Sequence, residues 1–383
     1  MAAASGGGRP LSFQEMERET ATGEGKDSCG SSLRVPVESA LRALHSSEEI
    51  QDMRKVFFAA AALLFATQGF AAAPKSKVKI ALIVESTVDD KGWCQAMHDA
   101  IKSVQAKYGP ALVEYSYTEK MKPVDAGSAA RQYASQGFDI VVAHGAQYKN
   151  LVLEMADEFP KVTFAFGTSA DIGPKNVFTY MPQSEETGYL NGLIAGMTTK
   201  SNIVGLVGPV DGGDAARYDR GFVLGVKAVN PKADVKVAHT GSFGDFVKAG
   251  ELAQTQVKAG ADVLTGSSQQ ALGALRAVAT YKDQPIWWVG QDTAQLAIPE
   301  SAKVIAASSY DYSAVIEALI AKRQAGVLGG ENLPLTFANG GFVYKFNEAV
   351  GPVLTKEVRS KVESAKANMV AGKLQLDWKS VKF

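Results

Sequence analysis

The chain has 383 residues, 46% of them hydrophobic, and its 40 Lys and Arg residues are balanced by 40 Asp and Glu residues. This is the composition of a soluble protein with room for two domains, and it lacks the basic stripe that binding to nucleic acid requires. With four histidines, two cysteines and no CxxC or HExxH spacing, we expect neither a metal nor a cofactor, which leaves a small organic ligand as the leading class of partner.

An internal segment has the pattern of a secretory signal. MRKVFFAAAALLFATQGFAAA begins at Met53 with two positive residues, continues with a short apolar run and ends in small residues. The apolar run is shorter than the roughly 20 residues that a membrane-spanning helix needs. We therefore predict a signal peptide at 53–71, cleaved after Ala71.

The residues before this segment are rich in Gly, Ser and Glu and show little apolar periodicity, which is typical of disorder. Because a signal peptide acts at an N-terminus, we expect Met53 to be the natural start and 1–52 to be a non-native or disordered extension. The mature chain then holds a single cysteine, Cys94, and has none at the cleavage site to carry a lipid. We expect a monomer that is free in the periplasm.

From residue 77 onward, short β-branched runs alternate with longer amphipathic segments, as in βαβ units around a parallel sheet. The predicted strands of the first half are VKIALIV, ALVEYSYT, DIVVAHG and VTFAFGT. After GYLNGLIAGMTT the cycle restarts with NIVGLVG, DVKVAHTGS, ADVLTGSS and PIWWVGQD. We therefore predict an α/β fold with two doubly wound, Rossmann-like lobes.

Ligands of such sheets bind outside the carboxyl ends of the strands. In the first predicted lobe the loops at these ends are 85–93, 144–148 and 167–170. In the second they are 208–214, 241–246, 266–269 and 290–293. Their many Gly, Ser, Asp and aromatic residues are suited to stacking on a flat ligand and to hydrogen-bonding its edges.

Two of these loops place an aromatic residue next to carboxylates. Trp93 follows Asp89 and Asp90, and although it could be a core residue of the helix start, its position in a strand-end loop favours stacking on a ligand. One of the two aspartates is expected to cap the following helix. Phe243, in GSFGDF of the second lobe, could face Trp93 across a cleft, and Asp245 is a further candidate for a helix cap.

For other polar residues of the loops, we compare a functional role with an ordinary structural one. Asp292 ends a very apolar strand, where a carboxylate is costly without a donor, so we expect it to contact the ligand. Cys94 and His98 could suggest a nucleophile, but an oriented third group is not evident. His144 and His239 could bind a metal, although lone histidines are more often hydrogen-bonding residues. GLVGPVDGG lacks the GK[ST] ending of a phosphate loop.

As a whole, the sequence resembles the basic membrane protein family, also called the nucleoside-binding family of ABC-transporter solute-binding proteins. The resemblance spans 77–383 and rests on DDKGWCQ, QSEETGYLNGLIAG, NIVGLVG with RGFVLGVKAVNP, GSFGDFVKAGELA, GADVLTGSS and VGQDTAQ, in this order. It implies a type I periplasmic-binding-protein fold with three hinge crossings, an ABC permease as partner and no catalysis. The expected lobes are 77–185 with about 305–335, and 186–304 with about 336–383.

The resemblance also implies roles for individual positions. Trp93 and Phe243 match the two aromatic residues that sandwich a purine, Asp89 or Asp90 matches the base-contacting aspartate, and Asp292 matches the ribose-binding aspartate. With neighbouring loop residues, the predicted ligand contacts are Asp89, Asp90, Trp93, Cys94, His144, Gly145, Phe243, Asp245, Gly266, Asp292 and Tyr310.

The sequence departs from the family pattern at three of these positions. Cys94 replaces an Asn, Trp93 replaces a Phe, and Tyr310 stands near the place of a lysine that helps to hold ribose. The missing lysine favours a free nucleobase as the ligand over a nucleoside. A nucleoside or simple sugar, and a sensor that binds the same ligand, remain alternatives, while the lack of a nucleophile elbow or metal cluster disfavours a Rossmann-like hydrolase.

Overall fold

A computed structural model of the protein describes residues 73–90 and 92–383. The predicted extension (1–52) and signal peptide (53–71) lie outside the described residues. Within the described part of the chain, no helix has the length and apolarity needed to span a membrane.

The first sheet contains six strands. They are β1 (Val78–Ile83), β2 (Val113–Thr118), β3 (Ile140–Ala143), β4 (Thr163–Gly167), β5 (Val177–Pro182) and β11 (Glu331–Leu335). Neighbours are parallel throughout, in the order β11-β5-β4-β3-β1-β2. Its helices are α1 (Trp93–Tyr108), α2 (Pro123–Ser135), α3 (Lys149–Glu158) and α8 (Ser313–Gln324). Because β3 and β4 are buried along their whole length, their sequences IVVA and TFAFG carry almost no polar residue.

The second sheet repeats this arrangement. Its strands are β6 (Ile203–Gly208), β7 (Asp234–His239), β8 (Val263–Gly266), β9 (Trp287–Gly290), β10 (Val304–Tyr310) and β12 (Phe342–Phe346). The order is β12-β10-β9-β8-β6-β7, and only β12 runs antiparallel to its neighbour. The remaining helices are α4 (Glu185–Thr198), α5 (Gly213–Val229), α6 (Phe246–Lys258), α7 (Ala271–Ala279) and α9 (Lys356–Val370). The predicted α/β fold with two doubly wound sheets is confirmed.

Within residues 73–383, as far as the structure describes them, the chain passes between the two sheets three times: after β5, between β10 and β11, and between β11 and β12. The first and third passages are tied together, because the backbone N–H of Gln183 donates to the carbonyl of Leu335 at 2.9 Å. The expected return to the first lobe at about 305 is wrong for β10, which pairs with β9 and β12 in the second sheet. We therefore propose that the returning segment of the first lobe begins after Tyr310.

Helices α4 and α5 approach each other closely through glycines. A Cβ added at Gly192 of α4 would lie 2.2 Å from the carbonyl oxygen of Phe222, and one added at Gly225 of α5 would lie 2.1 Å from that of Tyr189. Such distances leave no room for any side chain between the two backbones. The helix that follows the first passage is therefore fixed against the second sheet.

Candidate functional site

A cavity of about 400 Å³ lies between the carboxyl ends of strands from both sheets. The first sheet supplies Glu85, Trp93, Gly145, Ala146, Gln147 and Thr168, and the second supplies Val210, Gly212, Gly213, Asp214, Phe243, Ser268 and Gln269. These residues follow β1, β3 and β4 of one sheet and β6, β7 and β8 of the other. This is the edge at which doubly wound sheets bind ligands, and both predicted stacking residues, Trp93 and Phe243, lie there.

Trp93, the first residue of α1, is held by other rings. Its ring stacks on His144, with centroids 4.3 Å apart and planes 11° apart. The rings of Tyr310 and Tyr312 lie nearly perpendicular to it, at centroid distances of 5.2 and 5.5 Å. The indole is therefore fixed in orientation by this packing, and its remaining surface lines the cavity.

His144 lies behind Trp93 and does not line the cavity. Its Nε2 is 3.1 Å from the carbonyl oxygen of Trp93, and its Nδ1 is 2.6 Å from the hydroxyl of Tyr180. Because a carbonyl can only accept, Nε2 carries the hydrogen and Nδ1 accepts from Tyr180. Burial lowers the pKa of His144 to about 3 and keeps the ring neutral. His144 therefore does not line the cavity, as a ligand contact would, but holds the ring of Trp93 in place from behind.

The buried neutral His144 makes stability depend on pH. Its pKa falls from 6.5 to about 3 on folding, so below pH 6.5 the unfolded chain binds a proton that the folded protein does not. Stability is therefore lost as the pH falls, by about 2 kcal/mol from this residue between roughly pH 7 and pH 5. Urea unfolding at both pH values measures the loss. A His144→Gln variant should lose about 2 kcal/mol less free energy of unfolding over the same pH range. Equal losses in the two proteins would show that His144 does not cause the pH dependence.

Of the two aspartates before α1, one caps the helix, as the sequence-based hypothesis suggests. The carboxylate of Asp90 accepts hydrogen bonds from the backbone N–H groups of Gly92, Cys94 and Gln95 at 3.0, 3.2 and 3.1 Å, so it caps the helix. Asp89 is exposed, and neither aspartate lines the cavity. Cys94 is buried in the core, where desolvation raises the pKa of its thiol, so it is neither a cavity residue nor a reactive thiol.

The predicted residues of the second lobe occupy three different environments. Phe243 lines the cavity and keeps 46% of its surface exposed. The carboxylate of Asp245 accepts from the backbone N–H of Lys248 at 2.9 Å and caps α6, outside the cavity. Gly266 ends β8 in a tight space, where a Cβ would lie 2.7 Å from the carbonyl oxygen of Val207. The sequence-based role of a ligand contact therefore fits Phe243 alone among these three.

The first-sheet wall of the cavity carries polar groups that the sequence did not single out. The side-chain amide of Gln147 donates to the carboxylate of Glu85 at 2.9 Å, and the backbone N–H of Ala146 donates to the hydroxyl of Thr168 at 3.1 Å. Gly145, with a φ of 141°, adopts a conformation that favours glycine and lines the cavity. The loops were predicted, but not which of their side chains turn inward.

The second-sheet wall contains a buried carboxylate, Asp214, which the sequence also did not single out. Its side chain is only 7% exposed, and its Oδ2 accepts from the hydroxyl of Tyr310 at 2.8 Å. The same hydroxyl accepts from the side-chain amide of Gln291 at 2.8 Å. Burial raises the pKa of Asp214. A carboxyl group thus faces the cavity with a fixed tyrosine behind it.

Asp292 and Tyr310, both predicted ligand contacts, border a different space. Between them and Trp93 lies a void of about 20 Å³. The carboxylate of Asp292 accepts from the backbone N–H of Ala294 at 2.8 Å. A separate groove of about 410 Å³ borders the same two residues and runs along α1, but neither Trp93 nor Phe243 lines it. The cavity that contains both aromatic rings is therefore the candidate ligand site.

In the part of the chain that the structure describes, no group of three His, Cys, Asp or Glu side chains is placed to hold a metal ion. What the cavity offers is aromatic surface, carboxylates and amides, which bind a ligand by stacking and hydrogen bonds.

Comparison with known families identifies the chain. Residues 77–338 match the family model described as ABC transporter substrate-binding protein PnrA-like, abbreviated Bmp. The protein belongs to the Bmp family. The resemblance seen in the sequence is thereby confirmed, and the chain is a substrate-binding protein of an ABC transporter family.

Individual similar proteins differ in the ligands that their names give. An ABC transporter nucleoside-binding protein of Lactococcus lactis is 23% identical over 78% of this chain and 89% of its own length. A purine-binding protein of Brucella abortus is 27% identical over 51% of this chain and 56% of its own length. The solved structure of a solute-binding protein from Conexibacter woesei is 26% identical with a TM-score of 0.66, covering 78% of this chain and 98% of that one.

Proposed function

We propose that this Bmp-family protein captures a purine-type ligand, with a free nucleobase favoured, for an ABC importer. The observation that carries the proposal is the presence of two aromatic rings, Trp93 and Phe243, in one cavity between the strand ends of the two sheets. Stacking of a base on an aromatic ring contributes about 1–3 kcal/mol. The name of the Brucella abortus relative, a purine-binding protein, supports the same ligand class.

The polar groups of the cavity suit the edges of a purine. The carboxylate of Glu85 accepts an N–H, and the amide of Gln147, which donates to it, has a second N–H for a ligand carbonyl. On the opposite wall the carboxyl of Asp214 is a further acceptor. A flat ring system with N–H groups on both sides would satisfy both walls.

The space around Asp292 favours a base without its sugar. The void between Asp292, Tyr310 and Trp93 measures about 20 Å³, which holds about one water molecule. A ribose does not fit into this void, and the groove of about 410 Å³ that also borders Asp292 is separate from the cavity that holds the two aromatic rings. A nucleoside stays the second candidate, because the Lactococcus lactis relative is named a nucleoside-binding protein.

The setting in the cell follows from the same proposal. After cleavage of the signal at 53–71, the protein acts as a monomer in the periplasm and presents its ligand-bound form to a permease. The three passages between the sheets act as the hinge about which the lobes close. Ligand contacts to both walls stabilise the closed arrangement over an open one.

A thermal-shift screen tests the ligand class. A ligand that binds only the folded state adds to the free energy of unfolding, by about 2.7 kcal/mol when its concentration is a hundred times Kd. This gain raises the midpoint temperature of unfolding. For the chain from Ala72 onward we expect shifts with adenine, guanine, hypoxanthine or xanthine and weaker or no shifts with their nucleosides. Larger shifts with nucleosides would assign the second candidate, and shifts with sugars alone would contradict a purine ligand.

A further inference from the structure

Asp214 occupies an unusual position for a carboxyl group. It stands in the first turn of α5, at the carboxyl end of β6, and is more than nine-tenths buried while lining the cavity. Its Oδ2 accepts a hydrogen bond from the hydroxyl of Tyr310, and the backbone N–H groups of Asp214 and Ala215 also donate to the carboxyl group. The charge of Asp219 acts against its ionisation, in the same direction as burial. A carboxylate in such a place gains from each further donor that a ligand brings.

The wall behind Asp214 is fixed and closed. The single hydrogen of the Tyr310 hydroxyl goes to Asp214, while its oxygen accepts from Gln291, so the tyrosine has no hydrogen left for a ligand. The void that Tyr310 and Gln291 border on the Trp93 side is only about 20 Å³. A substituent on a ligand nitrogen that faces Asp214 would point at the carboxyl group itself and at the tyrosine behind it.

The two walls of the cavity differ in the hydrogen-bonding groups that they offer to a ligand. Glu85 and Gln147 present an acceptor and a donor side by side, which matches an N–H next to a C=O or to an exocyclic group on a six-membered ring. Asp214 presents acceptor oxygen alone, which matches a lone ring N–H. In a free purine that lone donor is the imidazole N–H, whose nitrogen N9 carries the sugar in a nucleoside.

We propose that Asp214 determines the specificity of the cavity by accepting a hydrogen bond from the unsubstituted imidazole N–H of a free purine. This inference rests on the proposed function and adds the residue that separates bases from nucleosides. Substitution at the nitrogen removes the donor, so that the buried carboxyl group loses the hydrogen bond from the ligand, and it places atoms where Tyr310 and Asp214 stand. Sites built around such a hydrogen bond reject analogues that lack it by factors of up to about 10⁴–10⁵.

Calorimetric titration with adenine, hypoxanthine and their 9-methyl derivatives tests the inference in the unaltered protein. We expect each 9-methyl compound to bind at least about a hundredfold more weakly than its parent. Binding of the parent and of the 9-methyl compound within threefold of each other would overturn the role of Asp214 while leaving the purine function in place. If no free base binds, the proposed function fails and the inference fails with it.

Variants then assign the selectivity to the residue. In Asp214→Ala we expect free bases to bind at least about tenfold more weakly, and the preference over 9-methyl compounds to fall to within threefold. Asp214→Leu, which is of similar size and has no acceptor, serves if the alanine variant does not fold. The matched control is Asp211→Ala, because Asp211 lies three residues earlier, is paired with Arg220 and does not line the cavity. Unchanged selectivity in a folded Asp214 variant would overturn the inference.

Discussion

Replacing Phe243 by alanine is expected to weaken purine binding about tenfold or more without changing the free energy of unfolding. One base–aromatic stack contributes about 1–3 kcal/mol, and 1.4 kcal/mol corresponds to a tenfold change in Kd. Because 46% of the side chain is exposed, its truncation removes little packing in the free protein. Calorimetric titration and urea unfolding of the variant measure the two effects separately.

Phe246 provides a matched control for Phe243. It is the same residue type, three positions later and 41% exposed, but it does not line the cavity. Phe246→Ala should leave Kd unchanged. If the two variants bind equally well, Phe243 does not stack on the ligand. Trp93 is a less clean probe, because its ring packs on His144 at 4.3 Å and its removal would lower stability together with binding.

Replacing Gly192 by alanine is expected to lower the free energy of unfolding by at least about 2 kcal/mol. Helix propensity alone predicts the opposite sign, since alanine is favoured over glycine by about 1 kcal/mol inside a helix. The new Cβ would lie 2.2 Å from the carbonyl oxygen of Phe222 and 2.8 Å from the backbone nitrogen of Val226. Two helix backbones cannot shift as cheaply as the end of a side chain, so α4 and α5 must separate.

Gly127, inside α2, is the control for this effect. A Cβ added there meets only Cδ1 of Leu151 at 3.2 Å, the flexible end of a side chain. Gly127→Ala should therefore be neutral or stabilising by up to about 1 kcal/mol. Urea unfolding compares the two variants. If Gly192→Ala were as stable as the unaltered protein, the close approach of α4 and α5 would not be a requirement of the fold.

The fold was predictable wherever burial is complete and the strand sequence is an unbroken apolar run, as in β3 and β4. Strands at the edge of a sheet were harder to predict from the sequence. β11 contains Pro334, a residue that belongs to edge strands and does not read as a strand in sequence. β10 was assigned to the wrong lobe because pairing partners, unlike apolar runs, are set by tertiary contacts.

The site was predictable at the level of loops. Trp93 and Phe243 stood out because large aromatic residues in strand-end loops are costly without a partner. The orientation of single side chains was not predictable: His144 directly follows β3 and turns behind the wall, while Asp214 reads in sequence as an ordinary helix-start residue. The prediction of a ligand contact for Cys94 failed for the same reason. A shift of one position along a helix turns a side chain from the cavity into the core.

The most direct test of a purine cavity between the two sheets is isothermal titration calorimetry with adenine, hypoxanthine, adenosine, inosine and ribose. We expect at least one base to bind with a one-to-one stoichiometry, its nucleoside to bind at least about tenfold more weakly and ribose to show no heat of binding. Binding of ribose in the absence of binding of either base would contradict the stacking site formed by Trp93 and Phe243.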